Sequence, residues 1–193
     1  MKNYDVVIIG AGAAGLTAAA TAAARGRRVA VLDMGDAPAR KVQASGGGRC
    51  NFTNMAATRD RYFGANPDFV RGALARVTPA DILQWAQGHD LEWQEKAAGQ
   101  FFCKSGAGPV VGALLQDAAG ARIITGCTVT GATYQSNRFI IKSNIGDFSA
   151  DSLVIATGGM SFATLGVSDI GYKIAKSFGH KIIPIRPALC AID

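Results

Sequence analysis

The chain has 193 residues, 49% of them hydrophobic and 18% charged, a composition that fits one packed domain and excludes the low-hydrophobicity, high-charge signature of disorder. Alanine (34) and glycine (24) together make up 30% of the chain, so its bulky apolar content is ordinary and its backbone is free to pack closely. The net charge of +6 divides evenly, +3 in residues 1–100 and +3 in residues 101–193, with no basic tail.

The longest low-polarity stretch, Ala11 to Ala24, is shorter than the ~17–25 residues of a membrane span and is built of Ala and Gly. Asp5 and a glycine turn follow the first residues where a secretory signal would have its apolar centre. A cytoplasmic protein with no membrane partner is expected. Cys50, Cys103, Cys127 and Cys190 show no CxxC and no histidine at ligand spacing, so no metal site is predicted. Cys103, Cys127 and Cys190 read as small buried hydrophobes, and His89 and His180 as satisfied helix caps.

In chain order, residues 5–9 (DVVII) read as a strand buried on both faces. The turn Gly10-Ala11-Gly12-Ala13-Ala14-Gly15 opens an Ala-rich helix that runs to about Arg25 and ends at Gly26, and Arg28 to Leu32 forms a second strand ending on Asp33. Met34 to Asn66 reads as a long functional loop that has room for a turn of helix. Residues 67–76 and 79–87 read as helices, the second capped by Thr78-Pro79 and ended by Gly88, with Trp85 and Trp93 in a core or a lid. Phe101 to Cys103 is a strand and Pro109 to Ala118 a helix. Short β segments follow at Arg122–Thr125, Val129–Tyr134, Phe139–Lys142 and Phe148–Ser149, the last three a meander with turns at Ser136-Asn137 and Gly146-Asp147. Ser152 to Thr157 is a separate, doubly buried strand running into Gly158-Gly159. A helix from Asp169 to Phe178, a strand at Lys181–Ile183 and the stiff stretch Pro184 to Pro187 complete the chain.

Three motifs carry chemistry. GxGxxG alone is a weak pattern, but here it lies between a buried strand and a helix, with an acid at the end of the next strand. Gly10 makes the tight turn, Gly12 lets backbone approach a pyrophosphate, and Gly15 allows close helix–strand packing beneath the helix N-terminus. Asp33 is placed for ribose hydroxyls, and its charge disfavours a 2′-phosphate, as suits FAD or NAD. The second motif, Lys41 to Asn54, contains Gly46-Gly47-Gly48, which suits close approach to a flat or charged ligand, and Arg49, which suits a phosphate or flavin edge. A flexible linker is the alternative. Five basic groups between Arg40 and Arg61 face one acid, Asp60, as would suit a polyanion. Cys50 is a redox thiol or a packed residue, and without a partner cysteine the packed reading is preferred. The third motif, Ala156-Thr157-Gly158-Gly159, ends a strand where doubly wound sheets bind ligands; an ordinary strand-to-loop turn is the alternative.

These pieces, VVIIGAGAAGLTAA, SGGGRCNFTN, GQFFCKSGAGPVVGALL and LVIATGGMSFATLGVSDIGYKIAKSFGH ending in RPAL, make the sequence resemble the BaiN-like or YhiN-like NAD(P)/FAD-dependent flavoproteins, some of which are called the aminoacetone oxidase family. The resemblance spans essentially the whole chain. It implies an α/β, Rossmann-like FAD-binding domain of the glutathione-reductase type, with inserted helices and a β-meander, over residues 1–193. It also implies a substrate domain and a last FAD-binding segment beyond the C-terminus. Gly10, Gly12, Ala13, Ala14 and Gly15 would hold the FAD diphosphate and Asp33 the adenosine ribose. Lys41 and the run Ser45, Gly46, Gly47, Gly48, Arg49, Cys50 and Asn51 would lie along the diphosphate and flavin. Val129 would offer backbone to the adenine, and Ala156, Thr157, Gly158 and Gly159 would close the site. Phe162 to Leu165 departs from the family's Tyr-Pro stretch.

The expected function is hydride transfer through flavin N5 between NAD(P)H and a small organic substrate, with FAD held non-covalently because no histidine lies near the motifs, and with no catalytic acid identified. A non-catalytic dinucleotide-binding module is the alternative. A flavin-dependent RNA-modifying protein, prompted by the sequence pI of about 9.4, ranks below both because the basic groups show no stripe with interleaved aromatics; a nucleic-acid partner is not expected.

Overall fold

The computed structural model describes residues 1–186; Cys190 and the RPAL motif from Pro187 onward lie outside them. β1 (Lys2–Ile9) turns through Gly10 into α1 (Ala13–Ala24), and Gly26, with φ +71°, ends that helix before β2 (Val29–Leu32). α2 (Arg40–Gly48), β3 (Asn51–Asn54), α3 (Arg71–Arg76), α4 (Pro79–Gly88), β4 (Trp93–Lys96), β5 (Gln100–Cys103) and α5 (Gly108–Asp117) follow. β6 (Arg122–Ile124), β7 (Val129–Gln135), β8 (Arg138–Ser143), β9 (Phe148–Ile155) and α6 (Ile170–Ser177) complete the order. The fold is Rossmann-like α/β, as expected. Its main sheet runs β6-β2-β1-β9-β8-β7, with the first four strands parallel and β9, β8 and β7 antiparallel. A second, antiparallel sheet runs β3-β5-β4.

Alternation along the parallel strands divides the core. Ile8, Val29 and Val31 face α1 and α5, packing with Leu16, Val110 and Leu114. Val7, Ile9, Ala30 and Leu32 face the opposite side, with Ile141, Phe148 and Ile174. Asp5 clasps the start of β2, accepting from the Arg28 N–H at 2.8 Å and from its guanidinium at 2.9 Å.

Five expectations are corrected. Phe148 to Ile155 is one strand, because Ser149 and Asp151, which interrupt the apolar run, have a common partner. Arg138 donates to Ser149 Oγ at 2.6 Å, to the Tyr4 carbonyl at 2.8 Å and to the Asp151 carboxylate, stapling β8, β9 and β1. The C-terminal half of β9 is not doubly buried: β8 pairs with it only over Phe148–Ala150, and Ile155 is 40% exposed. Met34 to Asn66 is not a loop throughout, since it contains α2, β3 and a turn of 3-10 helix at Arg59–Arg61. Of residues 67–76 only Arg71–Arg76 form a helix, and 181–183 form no strand.

α4 starts as expected. Thr78 Oγ1 accepts from the Asp81 N–H at 3.2 Å while the Asp81 carboxylate accepts from the Thr78 N–H at 2.7 Å, a reciprocal cap. Thr78→Ala should cost about 1 kcal/mol and lower the melting temperature by about 2–4 °C, read by thermal denaturation; an unchanged Tm would show the cap to be redundant. At the other end, His89 Nε2 and Trp85 Nε1 both meet the Asp117 carboxylate, at 3.0 and 2.7 Å, joining α4 to α5. His180 likewise closes α6, its N–H donating to the Ala175 carbonyl. No helix among the described residues is long and apolar enough to cross a membrane.

Candidate functional site

The three motif glycines answer to different constraints. Gly10 has φ +107°, and a Cβ there would lie 2.3 Å from the Ala156 carbonyl oxygen, so the turn and the close approach of the ATGG segment both require glycine. A Cβ on Gly15 would fall 1.9 Å from the Gly10 oxygen. Gly12, by contrast, has φ −80° and ψ −174°, open to any residue, and a Cβ there would meet nothing within 4 Å. Among the described residues no side chain caps α1, and Ala13 and Ala14 are exposed. Its first-turn N–H groups and positive dipole end are therefore available to an external anion.

Asp33 stands beside this turn. Its Oδ2 accepts from the Ala11 N–H at 2.6 Å and its Oδ1 from the Gly35 N–H at 2.8 Å, which fixes the carboxylate while each oxygen keeps a further lone pair. A narrow cleft of about 60 Å³ opens there, lined by Gly10, Asp33, Val129 and Thr157, four residues that the sequence reading assigned to one ligand. Met34, Thr128 and Ser168 also line it and were not foreseen; their only signal was position at the ends of the strands and of α6. Thr157 packs against α6, where a Cβ on Gly171 would approach its Oγ1 to 2.3 Å.

The second motif is held to the first by the backbone just before it and to the third by one lysine. The buried Ala39 donates its N–H to the Ala11 carbonyl at 2.8 Å, and Lys41 Nζ donates to the Gly159 carbonyl at 2.8 Å, joining α2 to the ATGG segment. α2 breaks at Ser45, after which Gly46, Gly47 and Gly48 have φ of +60°, +66° and +80°. Phe102 fills the space beside Gly46, whereas Gly47 and Gly48 have open space where side chains would be. Arg49 is exposed. The Asn51 side-chain amide lies beside the Thr53 and Phe101 carbonyls, to which its nitrogen can donate in one of its two amide orientations. Of the five basic groups, Arg40, Arg61 and Arg59 lie near Asp36 (3.9 Å), Asp60 (3.6 Å) and Asp68 (2.9 Å).

Cys50 does have a cysteine neighbour, which the linear spacing hid. The Cys103 N–H donates to the Arg49 carbonyl at 3.0 Å, and Cys50 and Cys103 are both free and buried. Burial, reinforced by Cys103 and opposed by a hydrogen bond with Ser45, pushes the Cys50 thiol up. The fold therefore holds this proton more tightly than the unfolded chain does. The associated stability is intact below the unfolded value of about 8.5 and is lost as pH rises through it toward the folded value. At neutral pH an alkylating reagent should label Cys50 slowly in the native protein and quickly in denaturant, followed by peptide mass spectrometry. Equally fast native labelling would contradict the packed role. Cys103 and Cys127 are buried as expected, and no group of three or more metal-ligating side chains exists among the described residues.

The model of the HI0933-like protein Rossmann domain matches residues 4–186. The ribosomal RNA dihydrouridine synthase of Escherichia coli (strain K12) is 40% identical over 98% of this chain and 48% of its own. The 3-dehydro-bile acid delta(4,6)-reductase of Clostridium scindens is 32% identical over 94% of this chain and 46% of its own. The chain thus spans about half the length of these curated relatives. Among solved structures, 3-ketosteroid-delta4-(5alpha)-dehydrogenase from Rhodococcus jostii RHA1 shares the fold, with a TM-score of 0.60 at 14% identity over 82% of this chain and 46% of its own.

Proposed function

The chain belongs to the HI0933-like Rossmann-domain family, and from that premise we propose that it carries the FAD-binding domain of a reductase that takes a hydride from NAD(P)H and delivers it to a conjugated carbon–carbon double bond, a uridine of ribosomal RNA being the substrate that fits best. The observation that carries the cofactor assignment is the open N-terminus of α1, where Gly12 has free space that no part of the described chain uses.

In this reading the backbone of Gly10, Gly12, Ala13, Ala14 and Gly15 holds the diphosphate, and Asp33 takes the adenosine ribose with the lone pairs its backbone bonds leave free. A cleft of about 60 Å³ has room for about two waters, so the nucleoside engages its rim, near Val129. Lys41 positions the ATGG segment, Ala156 to Gly159, across the site. Ser45, Gly46, Gly47, Gly48, Arg49, Cys50 and Asn51 lie along the diphosphate and flavin, with open backbone at Gly47 and Gly48 and a cation at Arg49. When bound, FAD supplies a centre, N5, that accepts and releases a hydride; the chain's own part is to orient it and fix its charge environment. The cofactor is held non-covalently.

The substrate class rests on the relatives. Dihydrouridine is uridine with two hydrogens added across a double bond conjugated to a carbonyl, and a 3-oxo steroid with 4,6 double bonds presents the same arrangement. One chemistry, hydride to the far carbon and a proton to the near one, serves both. Uridine is preferred because the relative named for it is the more similar, 40% against 32% identical. A small-enone reductase, favoured by the second relative, is the other reading.

The purified protein should show flavin absorbance that NADH or NADPH bleaches. Given unmodified ribosomal RNA, it should then yield dihydrouridine by nucleoside mass spectrometry. Bleaching with turnover of a steroid dienone but no dihydrouridine would establish the second reading. Absence of flavin would overturn both.

A further inference from the structure

Between β3 and α4 the chain exposes a segment to which the site above gives no role. Phe63 is 94% exposed, Phe69 82% and Tyr62 44%, three aromatic side chains within eight residues, around an open groove of about 470 Å³ lined also by Gly64, Asn66 and Pro67. Scattered single exposed hydrophobics need no explanation, but a cluster of large ones marks a contact surface. No aromatic partner stacks on these rings among the described residues.

Charge selects the partner. Residues 59–76 contain four arginines, Arg59, Arg61, Arg71 and Arg76, and two acids. Both acids are engaged inside the segment, Asp68 with Arg59 at 2.9 Å and Asp60 with Arg61 at 3.6 Å. Arg71 and Arg76 are exposed and have no acidic partner within 4.0 Å among the described residues. Exposed rings that can stack on bases, beside free cations that can meet phosphates, form the combination by which proteins hold single-stranded nucleic acid. A partner recognised by apolar burial alone would leave the arginines without a role.

We propose that residues 59–76 are a single-stranded RNA contact, in which Phe63 and Phe69 stack on bases and Arg71 and Arg76 neutralise phosphates. This rests on the ribosomal RNA reading above and adds to it the surface that holds the strand. Stacking tolerates any base, so the segment supplies affinity and position while selection of the uridine belongs to the flavin site.

The test is fluorescence anisotropy of a labelled oligouridine titrated with the purified flavin-containing protein at several salt concentrations. Phe63→Ala with Phe69→Ala should weaken binding at least tenfold, leaving flavin content and its bleaching by NAD(P)H unchanged. Arg71→Gln with Arg76→Gln should lower the slope of log K against log salt by about 1.4. If wild-type protein binds the oligouridine and both double variants bind it equally well with the same slope, the segment is not the contact, while the RNA reading stands. If the wild type binds no RNA, the reading itself fails and the proposal falls with it. A dimer in light scattering that the phenylalanine variant dissociates would show that a second copy covers the patch, and would also overturn the proposal.

Discussion

A Gly15→Ala protein should lose thermal stability and flavin together. The added Cβ would fall 1.9 Å from the Gly10 oxygen and 3.0 Å from its carbonyl carbon, and both obstacles are backbone that no rotamer change can move. Relief requires α1 to back away from the turn by more than an ångström, against the packing of Leu16 and Ala19, which are both fully buried. Overpacking of this kind costs about 1–3 kcal/mol, occasionally more, a substantial part of the 5–15 kcal/mol that holds a typical domain together. The expected fall in Tm is about 2–12 °C. The same displacement carries the first-turn N–H groups away from the place proposed for the diphosphate, so flavin should separate from the protein on gel filtration. A variant with wild-type Tm and retained flavin would show that the helix–turn contact is looser than described.

Asp33→Ala should weaken FAD binding by roughly 10–150-fold, the equivalent of about 1.5–3 kcal/mol for hydrogen bonds to a charged group, measured by flavin fluorescence titration. Two losses combine. The ribose loses its acceptor, and the Ala11 and Gly35 N–H groups lose theirs, at 2.6 and 2.8 Å, which loosens the turn on one side and the β2 loop on the other. Asp33→Asn separates them in part. It keeps one acceptor for one N–H but turns an amide NH₂ toward the other, so it should retain more stability than alanine while binding FAD less well than the wild type. Unchanged affinity in both variants would place the ribose elsewhere.

The β1–turn–α1–β2 unit and Asp33 were legible in the sequence because each signal is local: an apolar run, glycines at fixed spacing, an Ala-rich helix and an acid at a strand end. What escaped was decided by partners distant in the chain. NFTN and WQEK carry no apolar alternation, and Asn51–Asn54 and Trp93–Lys96 are strands because Gln100–Cys103 pairs with both. Ser149 and Asp151 looked like a break until Arg138 supplied their partner. In the candidate site, the three consecutive glycines announced an unusual backbone but not that all three are left-handed. The proximity of Cys103 to Cys50 depends on the β3–β5 register. The aromatic residues at 62, 63 and 69 lie among arginines in the sequence itself, but only their exposure distinguishes a contact surface from core.

The central claim, that a dinucleotide diphosphate sits over the N-terminus of α1, is tested most directly at Gly12. Its backbone angles suit any residue and its side-chain position is empty of the described chain, so no packing contact there requires a glycine, and what it offers beyond its modest worth as a helix N-cap is backbone open to a ligand. Gly12→Val should melt only about 2–4 °C below the wild type, the cost of about 1 kcal/mol for a poorer N-cap, while FAD affinity in a fluorescence titration falls at least tenfold. Wild-type FAD affinity in a normally folded Gly12→Val protein would contradict the account.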